Sequence, residues 1–294
     1  MSTTTTAVTP SVTTMEVFMN KTKADDDNVS EQVRLEDQHE TVLYAMGGKA
    51  LYAPVDLAKP GLRILDSACA NGRWIKDLQA ISPAKHEYVG TDVVESLYPN
   101  PAPEGTRFLD QSIKEPFPPE WNETFDVVHQ RLVMAAAGPE RTPDFVVKNL
   151  EGLLKEGGWL QMVEVATVPL PQNPTSQNQY LDMLDTLYAN LYTGTAYKRS
   201  NLWSDLGKEM EAAGLKNVQK KEVIVSYGAA VADPYIRERS LRTAVAGVPN
   251  FLSVLRKMPG DVWKSEWDDL ASRLYDDLKE KGGYTTYIVT WGQK

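Results

Sequence analysis

The sequence predicts an α/β fold built on a parallel sheet with helices on both faces. Three observations carry that prediction. Short apolar runs end in an acid at Asp66, Asp92 and Asp110, and segments with helical spacing alternate with them. The first run also passes through Ser67-Ala-Cys-Ala-Asn-Gly72 into a helix, a strand, tight turn and helix that brings backbone N–H groups to a ligand.

Residues 1 to 28 are rich in Thr, Ser and Asp and poor in apolar side chains, so they are expected to form a flexible tail, leaving 29–294 as one domain. A helix is expected from Ser30 to the Gly47-Gly48 stop, and Pro54 to Pro60 leads into a strand at 62–65. A helix over 73–80 and a strand over 86–92 complete a βαβ unit. Strands follow at 106–109 and 124–129, then a helix over 141–155 broken by Gly157-Gly158, and a strand over 159–165. Beyond it, 177–192, 202–213, 234–257 and 264–281 read as helices, and 217–226 and 284–291 as strands. The late strands can finish the sheet, leaving segments of about 172–200 and 233–281 as a helical cap, where substrate selectivity is expected to sit.

A net charge of −9, with acids and bases interleaved and no basic stripe, argues against a nucleic-acid or anionic membrane partner and for a small-molecule substrate. The single cysteine, Cys69, permits no internal disulfide and is read as a small buried filler. No Cys/His cluster has metal-ligand spacing, so no metal is expected. No window approaches the roughly 18 to 20 apolar residues of a membrane span, and no signal or transit pattern is visible, so a cytoplasmic location is expected. A homodimer is left open.

The turn at 66–72 has alanines at 68 and 70, one glycine at 72, and no G-x-G-x-x-G, which disfavours a dinucleotide. A small residue at 68 and a glycine at 72 suit S-adenosylmethionine (SAM), whose adenosine and methionine chain pass over the backbone without a pyrophosphate. Asp92 stands where an acid accepts from two ribose hydroxyls, and Asp110 with Gln111 where a carboxylate or amide meets an adenine amino group. Asp66 either orders the turn or reaches the methionine amine.

Asp66-Ser-Ala-Cys-Ala-Asn-Gly72 resembles the first motif of class I SAM-dependent methyltransferases, with alanine in place of the first two glycines. The likeness narrows to the fungal secondary-metabolism group that includes the LaeA-like and UMTA-like methyltransferases. It runs through Arg34-Leu-Glu-Asp-Gln-His39, Asn71-Gly-Arg-Trp74, Val89-Gly-Thr-Asp92, the Pro99 to Pro103 loop, Phe125-Asp-Val-Val-His-Gln-Arg131 and Leu154-Lys-Glu-Gly-Gly-Trp159. The resemblance covers about residues 30–165 and leaves the cap nearly uncovered.

That resemblance implies a Rossmann-like seven-stranded sheet of order 3-2-1-4-5-7-6, with a helical cap and an N-terminal covering helix. It implies SAM contacts from Ala68 to Gly72 at the methionine part, with Asp66 and Trp74 nearby. Asp92 and Val93 would lie at the ribose, Asp110 and Gln111 at the adenine, and His129 and Arg131 beside the sulfonium. Glu31, Arg34 and Gln38 would fold over the cofactor. The methyl groups of Ala68 and Ala70 are a departure expected to crowd the ligand.

His129 and His39 are the candidate catalytic bases, with packing against the cofactor as the alternative for His129; His86 is expected to be solvated. Tyr180, Tyr188, Tyr192, Tyr197 and Trp203 are candidate linings of an apolar substrate pocket. The function expected is methyl transfer from SAM to the O, N or S atom of a small fungal secondary metabolite. Two alternatives remain open: a LaeA-like regulatory methyltransferase acting in a protein complex, and a methyltransferase fold that catalyses another pathway step.

Overall fold

A computed structural model describes residues 25–138, 140–197 and 202–294. The expected tail up to residue 24 lies outside them, whereas residues 25–28, expected to belong to it, already form the start of a helix. In chain order the elements are α1 (Asp25–Ala45), β1 (Arg63–Ser67), α2 (Arg73–Ile81), β2 (Glu87–Asp92), β3 (Thr106–Asp110), β4 (Phe125–Arg131), α3 (Pro143–Glu151) and β5 (Leu154–Ala166). They continue with α4 (Thr175–Leu191), α5 (Leu206–Ala212), β6 (Lys216–Tyr227), α6 (Pro234–Ala246), α7 (Val248–Leu255), α8 (Leu270–Lys281) and β7 (Gly283–Gln293).

The seven strands form one sheet in the order β3-β2-β1-β4-β5-β7-β6, as the resemblance implied. β1 to β5 are parallel, and β7 runs antiparallel between β5 and β6. The central strands are apolar on both faces because helices cover both: Ile64, Leu65, Val127 and Val128 have essentially no exposed surface, and Trp74, Ile75 and Leu78 of α2 pack into the same core. Register sets Asp66 of β1 beside His129 of β4, and Asp92 of β2 beside Asp110 of β3, so the strand-end acids gather at one edge.

Several element boundaries differ from the sequence reading. The helix expected over 141–155 ends at Glu151, because Leu153 and Leu154 are drawn into the core and Leu154 already pairs with Phe125. Gly157, at φ +80°, turns the chain within the irregular start of β5 rather than stopping a helix. The segment 234–257 is two helices that meet at Gly247, with Pro249 in the first turn of the second. Residues 202–213 and 264–281 each begin with a short 3₁₀ turn. His86, expected to be solvated, is buried with Nε2 3.1 Å from the carbonyl of Leu57.

α1 lies across the cap helix α6 and is fastened by charge. Asp37, buried, accepts from Nε and Nη2 of Arg242 at 2.7 and 2.9 Å, and Glu40 accepts from Arg239 at 2.6 Å. Behind it, the buried amide of Gln161 on β5 accepts from the N–H of Tyr52 and donates to the carbonyl of Ala50, which anchors the connection from α1 to β1. Among the described residues no helix is long and apolar enough to cross a membrane.

Candidate active site

A cavity of about 530 Å³ opens where the carboxyl ends of the central parallel strands meet α1 and the cap. One wall is the turn after β1. Its backbone doubles back through Ala68, Ala70 and Gly72, all in the left-handed region at φ 58°, 49° and 68°. The two alanines therefore take the conformation for which glycine is usually reserved, and both line the cavity. Gly72 does not line it. A Cβ there would stand 2.8 Å from the ring of Phe108, so the glycine makes room for core packing behind the wall.

Asp92 receives the turn. Its Oδ2 accepts from the N–H of Ala70 at 2.9 Å and its Oδ1 from Val94 at 3.0 Å, and the N–H of Val93 also bears on the carboxylate, which lines the cavity. Burial pushes the carboxyl above its ordinary range, and these N–H donors oppose that rise. Val93, Asp110 and Gln111 continue the wall; the Gln111 side-chain amide donates to carbonyls of the loop 112–116.

His129 is buried against Trp74, the two rings parallel within 3° and 3.9 Å apart, and Trp74 donates its indole N–H to the carbonyl of Ala50. Burial lowers the imidazole below its ordinary value, and Asp66 opposes that effect. The ring is therefore neutral near pH 7. Its Nδ1–H donates to Asp66 Oδ1 at 2.7 Å, which leaves the Nε2 lone pair as an acceptor.

His39 differs. Burial beside the Arg131 guanidinium holds it down at about 4, so it too is neutral. Its Nδ1 accepts from Arg131 Nη2 at 2.9 Å and its Nε2–H donates to Asp77 Oδ2 at 2.8 Å. Both ring nitrogens are engaged, so the expected base role finds no free lone pair on His39.

The rest of α1 faces the cap. Arg34 pairs with Glu31 through contacts of 2.6 and 2.7 Å and lies in electrostatic reach of the Tyr180 and Tyr287 hydroxyls. Gln38 also lines the cavity. Of the aromatic residues read as a pocket, Tyr180 and Tyr188 do line it. Tyr192 and Trp203 are core instead: Tyr192 donates to the carbonyl of Met134 and packs edge-on against Trp203, and Tyr197 packs beside Tyr192. Tyr227, Thr243, Asn250, Thr285 and Tyr287 were not singled out from the sequence, yet all reach the cavity. The Tyr227 and Tyr287 hydroxyls are 3.3 Å apart. No local signal marked them, since they come from strands and cap helices more than 90 residues beyond the first turn.

The sequence model of the methyltransferase domain family matches residues 40–220. The chain belongs to that family, as a SAM-dependent methyltransferase. Methyltransferase psoC of Aspergillus fumigatus is 33% identical over 281 residues, covering 95% of this chain and all of that protein. N-methyltransferase sirN of Leptosphaeria maculans is 33% identical over 90% of this chain and 92% of its own length, and N-methyltransferase gliN of Aspergillus fumigatus 29% identical over 90% and 93%. Among solved structures, the methyltransferase in complex with the Trm112 activator of Haloferax volcanii superposes with a TM-score of 0.51 at 14% identity, over 93% of this chain and 96% of that one, a likeness of fold.

Proposed function

We propose that the enzyme methylates a nitrogen of a small secondary metabolite. The cavity holds adenosine along Asp92, Asp110 and Gln111 and the methionine end at Ala68 to Ala70, with the acceptor on the tyrosine-lined side. The observation that carries this reading is that one cavity has in its walls both the strand-end acids and Tyr180, Tyr188, Tyr227 and Tyr287. The nitrogen is favoured because sirN and gliN, alike over nearly their whole length, are N-methyltransferases. The residues fit SAM: the turn is already folded in its glycine-like form, and the Asp92 carboxylate lines the cavity. When bound, SAM supplies a methyl group activated by its sulfonium, so the protein's task is alignment and exclusion of water. His129, oriented by Asp66, offers Nε2 to the acceptor's N–H. On the sequence grounds given above, the reaction is assigned to the cytoplasm.

Calorimetry with SAM and S-adenosylhomocysteine (SAH) tests the cofactor site, with binding expected for both. A producing strain deleted for the gene should accumulate a precursor lighter by one methylene. No heat at high micromolar SAH would overturn the reading.

A further inference from the structure

Four cationic side chains line the cavity, and three of them are matched by carboxylates: Arg34 by Glu31, Arg73 by Glu40 and Asp77, and Lys114 by Glu140. Arg131 is different. Among the described residues no carboxylate lies within ion-pair distance of it, and its one hydrogen bond is to the neutral ring of His39. A half-buried guanidinium spends only one of five donors there, at the end of β4, on the wall of a ligand cavity. Leaving a charge so placed without a direct ion pair is unfavourable: burial works against its protonated form, and the more distant carboxylates of Asp66 and Asp77 offset that only in part. The arrangement is held in place at some expense, so it is built to receive an anion.

We propose that Asp77, His39 and Arg131 form a positioning relay that presents Arg131 to a carboxylate in the cavity. The inference rests on the SAM reading, because the carboxylate we assign is that of the cofactor's methionine moiety; an acidic group on the acceptor is the other source of the same chemistry. Asp77 takes the Nε2 proton of His39, which fixes the tautomer. The Nδ1 lone pair then accepts one edge of Arg131, and the other edge is left to the ligand. Arg73 sits on the far side of Asp77, 3.2 Å away, and reaches Glu40 at 3.5 Å. Glu40 and its neighbour Asp37 hold the cap helix through Arg239 and Arg242, so the relay is braced from the cap as well as from the turn. His39 and Asp77 act here through Arg131.

The experiment compares SAH with 5′-methylthioadenosine, which has the adenosine and thioether but no amino-acid head. Arg131→Met and His39→Leu should each weaken SAH about ten- to a hundredfold while leaving methylthioadenosine unchanged, as expected for loss of a charge-assisted contact. Unaltered methylthioadenosine binding also reports an intact fold. His39→Gln should restore SAH, because a glutamine can accept from Arg131 with its oxygen and donate to Asp77 with its nitrogen. A second arm titrates benzoate into the SAH-saturated protein. If SAH is unaffected by Arg131→Met but benzoate binding is lost, the relay stands with the acceptor as the source of the carboxylate. If both ligands bind Arg131→Met as they bind the wild type, the relay is overturned. Wild-type protein that binds neither SAH nor methylthioadenosine would overturn the cofactor reading, and this inference with it.

Discussion

His129 and Asp66 face each other across neighbouring strands, Nδ1 2.7 Å from Oδ1, with the imidazole laid flat on Trp74. Asp66 raises the ring's proton affinity while burial lowers it further. Replacing Asp66 by Asn removes the opposing charge, so the acidic limb of the kcat/KM profile should move to lower pH. The loss of a charge-assisted hydrogen bond should also cut kcat by about ten- to a hundredfold. A limb that moved to higher pH would show that the carboxylate does not govern His129.

Ala68 and Ala70 hold positive φ that an L side chain adopts at a penalty of about 1 kcal/mol each. Ala68→Gly and Ala70→Gly relieve that strain, although each also loosens the unfolded chain. Urea unfolding should show each variant as stable as the wild type or more stable by up to about 1 kcal/mol. A loss of that size would mean that the turn does not adopt this conformation.

The cofactor half of the cavity was legible because its chemistry is local: strand, turn, helix and an acid at each strand end follow from short windows of sequence. The substrate half was not. Tyr227 and Tyr287 lie on adjacent strands whose register pairs Tyr227 with Gly283 and Tyr287 with Val223, so their hydroxyls meet only because the two side chains, offset along one sheet face, reach toward each other. Tyr192 and Trp203 carried the same helical spacing as Tyr180 and Tyr188, yet they turn to the core, a choice made by how the cap docks. His39 was visible as a histidine, but its pairing with Asp77 and Arg131 joins three elements that only tertiary packing brings together.

Asp92 serves both fold and ligand, so its substitutions should separate the two. Asp92→Ala strands the Ala70 and Val94 N–H groups and should lower stability by about 1–3 kcal/mol. Asp92→Asn keeps only one acceptor oxygen and should fold, while SAH affinity falls by about 1.5–3 kcal/mol measured calorimetrically. Equal SAH affinity in Asp92→Asn and wild type would remove Asp92 from the ribose.

Two buried groups make stability depend on pH with opposite signs. His39 titrates at about 4 in the fold, because burial beside Arg131 disfavours its charge, and near 6.5 when unfolded. The unfolded chain therefore binds more protons between those values. The stability His39 contributes is full above pH 6.5 and is lost as pH falls toward 4, by about 3 kcal/mol. Glu164, whose Oε1 accepts from the N–H groups of Val133 and Met134, is pushed up by burial to about 7 from an ordinary 4.5. Here the folded chain holds the extra proton, so stability falls by about 3 kcal/mol as pH rises from 4.5 to 7. Between pH 4.5 and 6.5 the two slopes oppose each other. Glu164→Gln, which keeps an oxygen for both N–H groups, should expose the His39 slope, with stability rising with pH across that window. His39→Gln removes only part of that rise, since His129, also lowered by burial, keeps the same sign, so its curve should tilt toward falling stability relative to the wild type. Urea unfolding of the three proteins at pH 5, 6, 7 and 8 reads both; parallel curves for wild type and Glu164→Gln would show that the carboxyl is ionised throughout.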